Sequence, residues 1–390
     1  MLNFVYHNAT KIVFGENQEQ KVGELVAEYS KNILLLYGGG SVKRSGLLDR
    51  VRTSLTQHQI VWTELGGVQP NPHLALVKEG IKICREKKID FILALGGGSV
   101  IDTAKAISLG VLYDGDVWDY FSGRPYDRSI PTGVVLTIPA AGSESSCDAV
   151  ITKEEGLLKR ASCGSEKLRP AFAILNPELT LTLPDKQTFA GITDIMIHIM
   201  ERYFTNTKDV DVTDRMCEAL LQSVMYAAHR LKENPQDLPA RSEVMWCGTL
   251  AHNNLVGVDR IGDWATHKIG HEISALYDSI HGETLAVVFP AWMRYNYSVN
   301  VNRFAQFANR VFGVPYVPEK ENYMALEGIR LFKDYLRSIG MPAMLSDLGV
   351  RQQDIHTLAM KCTENDTQKV GRLRLLGASD VEAILNLANS

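Results

Sequence analysis

The spacing of apolar residues changes once along the chain, at Leu181-Thr-Leu-Pro184, and that change limits the fold more than any single motif does. Before it, short apolar runs (Asn32 to Tyr37, Ile60 to Trp62, Phe91 to Leu95, Val134 to Ile138, Phe172 to Leu175) alternate with helical patterns (Gln18 to Tyr29, Leu74 to Lys87, Val100 to Leu112). Such alternation predicts a mainly parallel sheet covered on both faces by helices. After it, Gln187 to Phe204, Asp211 to Glu233, Pro239 to Val256, Trp264 to Leu276 and Asn302 to Phe312 repeat apolar residues at the 3.6-residue period. They are rich in Met, Ala and Leu, which predicts a helical bundle. The expected organisation is an α/β N-terminal domain over 1–184 and an all-helical domain over 185–390, each large enough for its own core. The polar, loosely patterned tail from Thr363 to Ser390 suggests no role.

Charge narrows the partners. A net charge of -4, a pI near 6.2 and the lack of any Lys/Arg run exclude the electrostatic footprint of a nucleic-acid or anionic-membrane binder. The six cysteines form no C-x-x-C pair, so neither a thiolate zinc knot nor a disulfide framework is expected. The N-terminus lacks a basic segment followed by a long apolar stretch, and no apolar run approaches the ~20 residues of a membrane span. A cytoplasmic protein in a reducing compartment is expected.

Two glycine strings follow predicted strands. In Phe91-Ile-Leu-Ala-Leu-Gly-Gly-Gly-Ser-Val-Ile-Asp-Thr-Ala-Lys105, a strand runs through three glycines into a helix whose start carries the S-x-x-D spacing of a capping box, Ser99 to Asp102. Glycines let backbone N–H groups approach a phosphate, and a helix N-terminus adds favourable dipole charge. A tight βα turn also uses glycine, but seldom three in succession. The string recurs as Gly38-Gly-Gly-Ser-Val42, followed by Lys43 and Arg44 in place of the acidic residue that commonly binds an NAD ribose. That favours a 2′-phosphate, hence NADP(H), over the competing reading of a solvated basic helix start. Neither string is a G-x-G-x-x-G fingerprint or a Walker A motif.

The helical half carries the candidate metal donors. Asp194 and His198 stand four apart in Gly191-Ile-Thr-Asp-Ile-Met-Ile-His-Ile-Met200, on one helix face. His267, His271 and His281 follow within twenty residues of Trp264. A carboxylate in an apolar helix is costly without a counter-charge, and imidazoles beside it suit a divalent ion. The same spacing also fits a local Asp–His pair and hydrogen-bonded core histidines, and by itself it does not separate His271 from the others. Because the donors lie in one domain and the glycine loops in the other, a ligand bridging the two is expected.

Taken together, Gly66-Gly-Val-Gln-Pro-Asn-Pro72, Gly96-Gly-Gly-Ser-Val-Ile-Asp-Thr-Ala-Lys105, Thr137-Ile-Pro-Ala-Ala-Gly-Ser-Glu144 and the Asp194/His198/His267/His281 set resemble the iron-containing, or group III, alcohol dehydrogenases. The likeness runs through nearly the whole chain, and within the family it is to the NADPH-dependent butanol dehydrogenase and aldehyde reductase branch. The resemblance implies a dehydroquinate synthase-like architecture, NADP(H), one divalent ion (Fe²⁺ or Zn²⁺) held by Asp194, His198, His267 and His281, and a homodimer. It places His271 beside the nicotinamide and not on the metal, as the candidate for orienting or relaying the proton. Gly38, Gly39, Ser41, Gly97, Gly98, Ser99, Asp102, Thr137 and Lys159 match positions that line the cofactor. The implied reaction reduces short-to-medium aliphatic aldehydes or oxidises the alcohols, with Trp264 and Met196 as candidate apolar walls. One departure stands out: Ala141 replaces a hydroxyl residue common in the family.

Three other readings compete. Glycerol-dehydrogenase-like polyol oxidoreductases favour NAD and fewer ligands. A dehydroquinate synthase-like lyase would want several cations near the metal, where only Lys268 is found. A nucleotide-binding scaffold with a structural metal would show the same four ligands.

Overall fold

A computed structural model describes residues 1–389. The chain divides into two compact units, one from His7 to Leu183 and one made of Met1–Tyr6 with the residues from Pro184 onward. The first six residues, which the sequence reading counted with the α/β domain, are therefore part of the helical unit. Their backbone fixes them there: Met1 donates to the Lys208 carbonyl at 2.6 Å and Leu2 N–H to the Asp259 carbonyl at 2.9 Å.

In the α/β unit, β1 (Lys11–Phe14), β2 (Asn32–Tyr37), β3 (Val61–Leu65), β4 (Phe91–Gly96), β5 (Thr132–Leu136) and β8 (Phe172–Leu175) form one parallel sheet, in the order β1-β8-β5-β4-β2-β3. Successive side chains of a strand face opposite sides. Ile33, Leu35, Leu93 and Ile174 pack with helices α1 (Val22–Ala27) and α3 (Leu47–Gln57), while their neighbours Leu34, Leu36, Ile92 and Ala94 are equally buried. Both faces are thus covered, which is why these strands read as continuous apolar runs. The order in which the chain adds strands reverses at one point. The chain leaves β2 for β3 on one side and leaves β4 for β5 on the other, so the carboxyl ends of β2 and β4 flank a switch point where open α/β sheets bind ligands. Between them in sequence run α2 (Ser41–Arg44) and α4 (Leu74–Glu86), and after β4 comes α5 (Gly98–Val111).

A short antiparallel hairpin of β6 (Val150–Lys153) and β7 (Leu158–Ala161) completes this unit. Four-residue strands, one of them carrying Lys159 and Arg160, are too short and too polar to declare a two-residue period.

The helical unit contains α6 (Asp185–Tyr203), α7 (Asp211–Glu233), α8 (Leu238–His252), α9 (Ala265–Tyr277), α10 (His281–Asn296), α11 (Val301–Phe312), α12 (Glu321–Ser338), α13 (Ile355–Cys362) and α14 (Ala378–Leu387). Every residue of α6 from Thr188 to Tyr203 is buried, as expected for a helix apolar on all sides. Helix α10 was not expected because Pro290 sits inside it, and proline ordinarily breaks a helix interior. The tail is also more than the sequence reading allowed: Val381, Ile384 and Leu385 of α14 lie in the core, and Asp263 accepts from Arg372 N–H at 2.7 Å and Leu373 N–H at 2.8 Å. Among the described residues no helix is long and apolar enough to cross a membrane, and all six cysteines are free thiols.

Candidate metal centre and dinucleotide loops

Two glycines let the donor-bearing helices come close. A Cβ at Gly282 would fall 2.0 Å from the Ala190 carbonyl oxygen, so α10 can lie against α6 only where residue 282 has no side chain. A Cβ at Gly270 would fall 2.9 Å from Thr284 Oγ1 and 3.3 Å from Leu285, which closes α9 onto α10. Asp194 on α6, His267 on α9 and His281 at the start of α10 are thereby gathered, one ligand atom from each lying within 4.8 Å of the others.

His267 is the most constrained of the three. Its Nδ1 lies 3.2 Å from Glu201 Oε1, and its Nε2 is buried, lacks a hydrogen-bond partner and points to within 3.6 Å of Asp194 Oδ1. Burial pulls the His267 pKa down, but the carboxylates of Asp194 and Glu201 outweigh it and raise the pKa above its ordinary value. The local field thus favours a cation, proton or metal, at Nε2. His198 stands beside this trio and outside its 4.8 Å set. Its Nδ1 donates to the Asp194 carbonyl at 2.9 Å and lies 3.2 Å from Asp194 Oδ1, and its ring centroid is 4.4 Å from that of His267. Burial holds the His198 pKa well below 6.5, leaving a neutral imidazole whose Nε2 is the unprotonated nitrogen. Half-buried His271 is outside the trio too, its ring 5.1 Å from that of His281.

These groups fit a divalent cation. Nitrogen and carboxylate donors converge in a buried place, one imidazole nitrogen has no other partner, and a carboxylate behind that ring fixes its tautomer, as is usual for metal-bound histidine.

Glu201 was missed in the sequence although a signal existed, since it follows Asp194 by seven residues and so shares its helix face. It also accepts from Trp264 N–H at 2.5 Å, from His267 N–H at 3.2 Å and from the Thr266 hydroxyl. Of the two wall candidates, Met196 is fully buried in the helical core, whereas Trp264 is half-buried beside His267 with ring centroids 5.3 Å apart.

In the α/β unit, the glycine strings follow β2 and β4 at the switch point. Gly96 and Gly97 have packing reasons of their own, because a Cβ would meet Val100 at 2.4 Å and Ile138 at 3.0 Å respectively. Gly98 opens α5, and no side chain caps that helix, so its first N–H groups remain for an anionic ligand. The capping box expected from Ser99 and Asp102 does not form. The helix starts two residues earlier than that box requires, with Gly97 at its N-cap and Gly98 as its first residue, and Asp102 instead accepts from Ser143 Oγ at 2.6 Å and Val150 N–H at 3.0 Å. Fully buried Lys105 braces the same segment, donating to Ser143 Oγ, Ser146 Oγ and the Ser146 and Asp148 carbonyls. Burial pushes the Asp102 pKa up and the Lys105 pKa down, and each group's charge opposes the other's shift.

The remaining cofactor candidates join this scaffold. Thr137 N–H donates to the Gly96 carbonyl at 3.1 Å, next to the second string. Lys159 on β7 donates to Asn71 Oδ1 at 2.8 Å, and Gly67 N–H donates to the Gly38 carbonyl at 3.0 Å, tying the Gly66–Pro72 stretch to the first string. Gly39 and Ser41 are exposed, and a Cβ at Gly39 would meet nothing within 4 Å.

A parallel switch-point sheet with uncapped glycine loops, followed by helices carrying an Asp and His cluster, defines the class: the chain belongs to the iron-containing alcohol dehydrogenase family. Its profile matches residues 9–177, and that of the Fe-containing alcohol dehydrogenase family C-terminal region matches residues 188–389. Among similar proteins, probable NADH-dependent butanol dehydrogenase 2 of Bacillus subtilis is 42% identical over 387 residues, covering 99% of each chain. The NADPH-dependent aldehyde reductase YqhD of Escherichia coli is 34% identical, covering 95% of each. The crystal structure of NADH-dependent butanol dehydrogenase A from Thermotoga maritima has a TM-score of 0.95 at 40% identity, covering 100% of this chain and 99% of that one.

Proposed function

We propose that the protein is a divalent-metal-dependent alcohol dehydrogenase and aldehyde reductase acting on short-to-medium aliphatic alcohols and aldehydes with NADP(H). The observation that carries the reading is the convergence of Asp194, His267 and His281, with His198 at their side and Glu201 behind His267. A bound Fe²⁺ or Zn²⁺ would supply Lewis acidity for a substrate oxygen. Asp194, His198, His267 and His281 hold the ion in this proposal, Glu201 keeps the proton on His267 Nδ1, and an imidazole nitrogen of His271 donates the proton that completes alcohol formation. Gly38, Gly39, Ser41, Gly97, Gly98, Ser99, Asp102, Thr137 and Lys159 bind and orient the dinucleotide, whose nicotinamide carries the hydride.

NADP(H) is favoured by the first loop, where Gly38 to Arg44 offers two cations and no carboxylate. Four relatives at 37–42% identity are named NADH-dependent, and two at 34% are named NADPH- or NADP-dependent, which favours NADH as the second reading. Steady-state kcat/KM for butyraldehyde reduction with each nucleotide decides between them: a higher value with NADPH is expected, and a higher value with NADH overturns the preference while leaving the metal chemistry intact.

A further inference from the structure

Outside the proposed ligand set, one more imidazole packs on it. His252 is the last residue of α8, and its ring meets that of His198 edge-on, centroids 4.3 Å apart and planes at 87°. Trp264 closes the same corner, 5.7 Å from His252 and 6.0 Å from His198. Trp264 is itself fixed: its backbone is held in the left-handed region at φ +67°, its N–H binds Glu201, and the Arg202 guanidinium covers its ring at 4.5 Å. A non-glycine residue in that conformation persists only where its surroundings over-determine it.

The two buried imidazoles are held differently. His267 has the Glu201 carboxylate on its Nδ1, which sets both tautomer and ring plane. His198 Nδ1 faces only its own helix, at the Asp194 carbonyl and carboxylate. A contact one turn back on the same helix sets the tautomer but constrains the ring plane less than a partner supplied by a second helix. An edge-to-face ring contact is directional and resists such tilting. We infer that His252 is a positioning residue for the metal, holding the His198 ring plane by packing in the place where His267 uses a carboxylate. The role needs the shape of a planar ring and no proton on it.

The inference rests on the proposed metal site, so the test carries a control for that site. Metal-free protein is titrated with Co²⁺ against a competing chelator, and the visible spectrum of the Co²⁺-loaded protein is recorded for wild type, His252→Ala, His252→Phe and Asp194→Ala. His252→Ala is expected to weaken Co²⁺ binding about 10–100-fold, the usual effect of removing an outer support, and to alter the visible bands. His252→Phe should restore affinity to within about three-fold. Wild-type affinity and spectrum in His252→Ala would overturn the inference, as would His252→Phe binding no better than His252→Ala. Unchanged Co²⁺ binding in Asp194→Ala would instead overturn the metal site itself.

Discussion

Glu201 carries the largest burden of any single side chain at the centre, because four donors of the Trp264–His267 segment converge on its carboxylate. Glu201→Gln keeps the volume and removes the charge that holds the proton on His267 Nδ1, so metal affinity is expected to fall about 10–100-fold in a chelator competition. Unchanged affinity would show that His267 is oriented by packing alone. Gly39 tests the nucleotide assignment at the same scale, since a side chain there enters open space. Gly39→Asp brings a carboxylate towards the proposed 2′-phosphate. At about 1 kcal/mol per charge pair at 4 Å in water, a doubly charged phosphate is disfavoured by about 2 kcal/mol, or about 30-fold in the NADPH-to-NADH ratio of kcat/KM. An unmoved ratio would contradict the role of the first loop. Asp194, His198, His267, His271 and His281 were all legible as candidate donors because charged and imidazole groups are conspicuous in apolar sequence, but spacing alone did not single out the converging Asp194, His267 and His281. Glu201 left only its seven-residue spacing from Asp194 and His252 left no signal, because the partners of both are supplied by tertiary packing.

Among the elements, the crossing of α6, α9 and α10 sets the donor geometry, and glycines set the crossing. Gly282→Ala places a methyl against a backbone carbonyl, which has no rotamer to yield. Overpacking of this kind destabilises by about 3 kcal/mol and would part α10 from α6, carrying His281 away from Asp194. Guanidinium unfolding of the metal-free variant, with Gly39→Ala as a neutral control, should show the lower midpoint, and Co²⁺ titration the weaker site. A Gly282→Ala protein as stable and as avid as wild type would contradict this account of the helix crossing. The sequence marked α6 and α9 through their period but not α10, whose Pro290 reads as a stop. The glycine string before α5 was legible as a βα turn. Its capping box was not real, because Asp102 is drawn to Ser143 and Val150, residues more than forty positions away.

On the scale of the whole molecule, the switch of periodicity near Pro184 foretold a parallel sheet followed by helices, since burial on two faces and burial of a helical stripe leave different spacings. What it could not show are the long-range ties: the N-terminal residues bonded at Lys208 and Asp259, and the tail whose backbone satisfies Asp263. Those depend on single hydrogen bonds that leave no period. The central claim joins a metal to a nicotinamide reduction, and one measurement tests both: butyraldehyde-dependent NADPH oxidation after chelation, and again after Fe²⁺ or Zn²⁺ is returned. The account predicts turnover that disappears with the metal, returns with one equivalent per chain, and does not return in Asp194→Ala. Full activity after verified removal of metal, or no turnover by the reloaded protein with butyraldehyde and several other short aldehydes under NADPH or NADH, would contradict it.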